Sequence, residues 1–243
     1  KKLAGKQMRE FMDTTKEVPI LATLKEAIVK GAEVLVLGIA PSGGKIPESW
    51  NPVIEEALDN EMSIVNGLHD VLNERWSHLI KNPLKQWIWD IRIPLFTPEI
   101  ATGKASQLQN KRVLFIGTDM AVGKMTAGLE LYSWLLEHKK KVGFVATGQI
   151  GITITGKGIP LDAFKVDHAC GEVEQVVLDQ ADKDIILIEG QGSLLHPGST
   201  ATLPLMRGSC PTHLILCLRA EKKTLRSPEH IKIPDLNNFI ALN

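Results

Sequence analysis

The chain has 243 residues, and its 28 Lys plus Arg are balanced by 28 Asp plus Glu, giving a formal net charge of zero. That balance speaks against a nucleic-acid or membrane-surface binder driven by bulk charge, and no apolar run approaches the length of a membrane-spanning helix. Three cysteines, Cys170, Cys210 and Cys217, lack the paired spacings of a zinc site or redox motif, so reduced thiols in a cytoplasmic protein are expected.

Apolar, strand-like runs alternate with a helix-compatible stretch over the first hundred residues: VLVLGI at 34–39, a helical stretch near 51–60, SIVNG at 63–67 and WIWDIR at 87–92. Such alternation predicts a parallel sheet with crossover helices. The glycine turn after the first strand, APSGGKIP from Ala40 to Pro47, suits an anion site built from Ser42, Gly43, Gly44 and Lys45, or equally a plain strand-to-helix loop; it lacks the GxGxxG dinucleotide pattern. A proline-containing connector from Pro94 to Thr102 marks a domain boundary, giving domains 1–98 and 99–243. Strands are expected in the second domain at 113–117, 142–147, 184–189 and 213–218, each nearly continuous in apolar residues, as strands covered on both faces are. The fold class read from this pattern is α/β, with two three-layer parallel-sheet domains. The start at Lys1 without methionine and the stop at FIALN read as a piece whose ends, and some internal loops, lie outside this sequence; the first domain is expected to be incomplete.

VLFIGTDMAVGKMT, Val113 to Thr126, carries the densest chemistry: an apolar strand runs into a glycine-bounded loop ending in Gly-Lys, followed by a helical pattern. Gly117 and Gly123 let the backbone curl so that N–H groups from Thr118 through Met125 point inward, with Lys124 adding a cation and the helix start adding its positive end. Asp119, Ala121 and Val122 complete this expected polyphosphate cradle. Five residues rather than four separate the glycines, and Met125 stands where a metal-binding hydroxyl usually follows the lysine, so Thr126 is the candidate for that role. Met125, Leu129, Tyr132 and Leu136, spaced by four, three and four, predict the apolar face of the helix behind the loop.

ILIEGQGSLLHPGS, Ile186 to Ser199, is the second constellation: a buried strand delivers Glu189 to its carboxyl end, followed by Gly190, Gln191, Gly192, Ser193 and His196. Mg²⁺ prefers hard oxygen ligands and phosphate, so Glu189 with Thr126 is the candidate metal pair if a Mg-nucleotide is bound. ATGQIGI, Ala146 to Ile152, forms a third strand-end loop offering Thr147 and Gln149, and the three loops are expected to converge at one sheet edge. In VDHACGEVEQVV, His168 and Cys170 read as packing residues, and Glu172 and Glu174 as acids near a helix start that serve as dipole partners.

Together GTDMAVGKMT, ATGQIGI, IEGQGSLLHP and IAPSGGKIP resemble a bacterial family long known only as a domain of unknown function, whose characterised members are D-glutamate N-acetyltransferases. The resemblance runs from about Lys6 to the end. It implies a Rossmann-like N-terminal domain, a P-loop NTPase-like C-terminal domain, and a homo-oligomeric transferase of D-amino acid metabolism that moves acetyl from acetyl-CoA to the amine of an acidic amino acid. Under that reading the phosphate loop holds the CoA diphosphate and His196 or Glu189 removes the ammonium proton. Ser193 with neighbouring glycine N–H groups steadies the oxyanion, and Gln149, Gly190, Gln191, Gly192 and Arg207 meet the substrate. The family often carries a Tyr soon after the His-Pro of the second motif, where this chain has Gly198, Ser199 and Thr200, which opens the acceptor specificity. The phosphate loop and the Glu-Gly-x-Gly motif also resemble dethiobiotin synthetase, implying as the alternative an ATP/Mg-dependent carboxylate-activating ligase or kinase; a nucleotide-binding regulator without turnover is the third reading.

Overall fold

The structure, a computed structural model, describes residues 2–14, 16–39, 41, 43–94, 96–97 and 99–241. Two compact units divide it, Lys1–Arg92 and Ile93–Asn243, each built on an entirely parallel sheet.

In the first unit β1 (Val34–Leu37), β2 (Ser63–Asn66) and β3 (Ile88–Asp90) lie in the order β1-β2-β3. The helices are α1 (Leu24–Val29), α2 (Asn51–Asp59) and α3 (Leu72–Trp76). Ile54, Ala57 and Leu58, spaced three and one, give α2 a single apolar face, and they form a core with Met62, Ile64, Leu72, Trp76 and Ile88. At the carboxyl edge the buried Asp90 carboxylate accepts from the N–H groups of Leu72 and Asn73, both at 2.9 Å, and so caps α3. The glycine turn after β1 is tied to the loop after β2: His69 N donates to Gly44 O at 2.8 Å and Ile46 N to Asp70 Oδ2 at 2.7 Å. Ile46 N is thereby spent, and Gly44 N donates to Pro41 O at 2.9 Å, so donors that an anion site needs are used, which favours the plain-loop reading; Ala40 and Ser42 lie outside the described residues.

The second unit contains β4 (Lys111–Gly117), β5 (Val142–Val145), β6 (Ile185–Ile188) and β7 (His213–Cys217) in the order β5-β6-β4-β7. Its helices are α4 (Lys124–Glu137), α5 (Gln149–Thr155), α6 (Val166–Leu178), α7 (Thr202–Ser209) and α8 (Leu236–Ala241). The crossover β4-α4-β5 steps one way across the sheet, and those through α6 and α7 step back. Right-handed connections therefore place α4 on one face and α6 with α7 on the other, giving three layers. Leu114, Ile116, Val145, Ile186 and Ile188 pack with Val173, Val177 and Leu205 from α6 and α7. On the opposite face Gly128 lets α4 lie close to Phe115 and Phe144, where a Cβ would meet ring carbons at 3.4 and 3.3 Å.

Two expectations change. Of the expected apolar face of α4, Tyr132 packs against Phe144 with ring centroids 5.4 Å apart and Met125 and Leu129 are half-buried beside the buried Lys124, Gly128 and Leu135, while Leu136 faces solvent at 48% exposure. β7 is an edge strand, so His213 and Leu214 are exposed rather than covered on both faces. No helix among the described residues is long and apolar enough to cross a membrane.

Candidate functional site

Strand β4 ends at Gly117 and α4 begins at Lys124, so the intervening residues must reverse within one loop at the carboxyl edge of the sheet. Ala121 and Gly123 take left-handed backbone, φ +53° and +94°, which turns successive peptide groups to one side. The N–H groups of residues 121–126 donate to no acceptor among the described residues; Ala127 N is the first in the helix to find one, at Gly123 O, 2.9 Å. Lys124 is buried, and its Nζ donates to Asp119 O at 3.1 Å, closing the loop over itself. Burial pushes the Lys124 ammonium below its ordinary range, opposed by Cys217 and Asp119. Gly117 is required here, since a Cβ would lie 2.8 Å from Val122 Cγ2 and 3.0 Å from Lys124 Nζ.

The second loop arrives beside the first. Gly190 passes so close to β4 that a Cβ would lie 1.7 Å from Phe115 O and 2.9 Å from Lys124 Cδ. Met120 to Thr126 and Glu189 to Gly192 line one cleft of about 430 Å³. Glu189 is buried, and its Oε2 accepts from Thr147 N at 2.8 Å and Gly148 N at 3.2 Å at the start of α5, while Oε1 accepts no hydrogen bond among the described residues. Burial raises the Glu189 carboxyl above the usual carboxylate range, and the Thr147 and Gly148 donors oppose the rise. The third loop thus serves by anchoring Glu189. Gln149 is half-buried at the first turn of α5 and lies outside the lining of the cleft, while the Gln191 amide lies over Gly148.

Several expected roles fall to other atoms. The buried Ser193 hydroxyl donates to Thr118 O at 3.0 Å and accepts from Leu195 N and His196 N, both at 3.1 Å, so it knots the two loops together and has no proton left for an oxyanion. His196 Nδ1 accepts from Gly198 N at 3.0 Å, which leaves the ring proton on Nε2, bonded to Ser227 O. With both nitrogens engaged and the ring outside the lining of the cleft, His196 lacks the free lone pair a base needs. Asp119 is likewise a brace, accepting from Met120 N at 2.7 Å and Arg226 N at 2.8 Å. Gly117 and Thr118 shape the loop from beneath, and Arg207 lies on α7, outside this cleft. The braces from Arg219, Arg226 and Ser227 were invisible to motif reading, because the segment after β7 carries no recognisable pattern.

A phosphate-bearing group fits this cradle by the run of unused N–H groups and the inward lysine. Thr126 and Glu189 face the same cleft and would suit one Mg²⁺ shared with phosphate oxygens. Among the described residues no group of three His, Cys, Asp or Glu side chains could hold a metal alone.

The family model described as a domain of unknown function (DUF1611_C) P-loop domain matches residues 99–243, and the one described as a (DUF1611_N) Rossmann-like domain matches residues 1–94. The chain belongs to the DUF1611 family. A crystal structure of a DUF1611 family protein from Anabaena variabilis superposes with a TM-score of 0.93 at 44% identity, covering 99% of this chain and 71% of that one. Two curated relatives are named D-glutamate N-acetyltransferase. The one from Pseudoalteromonas sp is 39% identical over 90% of this chain, and the one from Tritonibacter scottomollicae is 38% identical over 89%. The chain spans 66% and 65% of their respective lengths.

Proposed function

We propose that this DUF1611 chain carries the donor site and reaction centre of an N-acetyltransferase that moves acetyl from acetyl-CoA to the amine of an acidic amino acid, D-glutamate foremost. The observation that carries the reading is the single cleft in which Lys124 and the unused N–H groups of residues 121–126 meet the Glu189 carboxylate. The names of the two curated relatives supply the reaction class.

In this reading the loop N–H groups and Lys124 hold the CoA diphosphate, which leaves Glu189 as the base. Glu189 removes a proton from the substrate ammonium, the freed amine attacks the thioester carbonyl, the carbon–sulfur bond breaks, and the departing thiolate takes up a proton. A carboxylate with a raised pKa and one oxygen fixed by backbone donors suits proton transfer near neutrality. The N–H groups of Gln191 and Gly192 donate to no acceptor among the described residues, and these two residues line the cleft, so they replace Ser193 as the oxyanion donors.

Thr126 and Glu189 in one cleft favour the second reading, phosphoryl transfer from Mg-ATP to a carboxylate. Purified protein is incubated with D- or L-glutamate plus acetyl-CoA or Mg-ATP, and CoA and ADP are quantified. CoA release dependent on D-glutamate is expected; ADP release without CoA release overturns acetyl transfer.

A further inference from the structure

Beyond the Gln191–Ser193 turn lies a second cavity, of about 360 Å³, between the first turns of α6 and α7. One short piece of chain divides it from the phosphate cleft, since Gln191 and Gly192 line the cleft while Ser193 and Leu194 line the cavity. The partition is held from the cavity side: Thr202 Oγ1 donates to Gln191 O at 3.0 Å, and Ser199 Oγ accepts from Ser193 N at 2.7 Å. Gly192, at φ +70°, keeps it thin, because a Cβ there would lie 1.9 Å from Ser199 Oγ.

The lining has a definite chemistry. Arg207 is its sole charged side chain, exposed and with no ion pair or hydrogen bond to its guanidinium among the described residues. Leu194 and Leu203 supply apolar wall, and Cys170 lies within reach of the guanidinium's field. α7 has no side-chain cap at its N-terminus, where Ala201 stands, and no acid in its first turn, so it adds its positive end to the cavity's mouth, whereas Asp167 in the first turn of α6 offsets that helix's. One cation, hydroxyl groups and apolar wall match a small acid with a short methylene stem. The phosphate cleft, by contrast, contains the Glu189 carboxylate, which repels the acid's carboxylates and suits only its ammonium.

We propose that this second cavity receives the acidic amino acid, with a carboxylate paired to Arg207, its methylenes against Leu194 and Leu203, and its amine extended past the partition into the phosphate cleft, where Glu189 takes its proton. The assignment rests on the acetyl-transfer reading for the identity of the acid. It explains how one sheet edge serves two substrates: the partition separates their anionic groups by a single turn of chain.

Cys170 gives a direct test independent of turnover. The rate of N-ethylmaleimide modification at Cys170, Cys210 and Cys217 is followed by peptide mass analysis while D-glutamate is titrated. D-glutamate should slow Cys170 saturably and leave Cys210 and Cys217 unchanged. Arg207→Ala should raise the half-protecting concentration by roughly tenfold or more, with acetyl-CoA affinity by calorimetry unchanged, and Arg207→Lys should fall between. If D-glutamate is acetylated while Cys170 reacts at its free rate, the acceptor sits elsewhere and the proposal is overturned. Protection that survives in Arg207→Ala removes the clamp and overturns it as well. Protection without acetylation keeps the cavity and overturns the acetyl-transfer reading instead; absence of both overturns the two together.

Discussion

Glu172 in α6 is wholly buried, neither carboxylate oxygen has a hydrogen-bond partner among the described residues, and burial pushes its pKa up from 4.5 to about 7. The folded state therefore binds this proton more tightly than the unfolded chain, and stability must fall as pH rises from the unfolded pKa through the folded one. Referred to the fully protonated state, the loss is about 0.8 kcal/mol at pH 5, about 2 kcal/mol at pH 6 and about 3.4 kcal/mol above pH 7.5. Against a typical total of about 5–15 kcal/mol this is a large fraction. Glu172→Gln keeps the shape and the neutral polar head but cannot ionise, so the difference between variant and wild type isolates the charge. In urea unfolding followed by circular dichroism at pH 5 to 8, the variant's lead over wild type should grow by about 2.5 kcal/mol, from about 0.8 kcal/mol at pH 5 to about 3.4 kcal/mol at pH 8. Parallel stability profiles for the two proteins would refute the reasoning and mean that the carboxylate is solvated or paired in solution.

Four further outcomes are expected. Lys124→Ala should weaken acetyl-CoA binding by about ten- to a hundredfold in calorimetry, because a charged donor to the phosphates is lost, while the melting temperature moves little. Gly190→Ala, whose Cβ would overlap Phe115 O, should cost at least about 2 kcal/mol in denaturant unfolding and abolish that binding as well. Glu189→Gln should lower turnover by about 10²–10⁴ with acetyl-CoA affinity nearly unchanged. Wild-type rate should fall as pH drops through the raised Glu189 pKa, since the base must be ionised; a flat acid limb or near-normal turnover in the variant would remove Glu189 from proton transfer. Asp119→Ala leaves Met120 N and Arg226 N without their acceptor, so amide exchange at both should quicken.

What the sequence disclosed follows from which interactions are local. Strands β4, β5 and β6 were legible because a parallel sheet covered on both faces demands unbroken apolar runs, and Gly117 and Gly123 because a backbone reversal needs residues tolerant of its angles. Convergence of Lys124 and Glu189 was legible too, since parallel strands release their loops at one edge. Pro204 inside TLPLMRGS hid α7, yet it falls in the first turn, where a missing N–H removes no helical bond. Glu172 and Glu174 share one helix and look alike in sequence. Their surroundings separate them: Glu174 accepts from Thr102 N at 2.7 Å, a partner seventy-two residues away, while Glu172 meets no donor among the described residues.

The same limit bears on the proposed base. His196 and Glu189 stand seven residues apart in one motif, and each residue type can carry a proton near neutral pH. Whether either does depends on a free lone pair at the cleft, and that depends mostly on groups outside the motif. Gly198 N and Ser227 O occupy both nitrogens of the imidazole, whereas Thr147 N and Gly148 N occupy one oxygen of Glu189 and leave the other. His196→Gln should therefore change turnover only a few-fold, because the side chain's task is to pin the second loop to the segment after β7. A loss as deep as that of Glu189→Gln, relieved by raising pH, would show that the imidazole leaves Ser227 during the reaction and would return the proton to it.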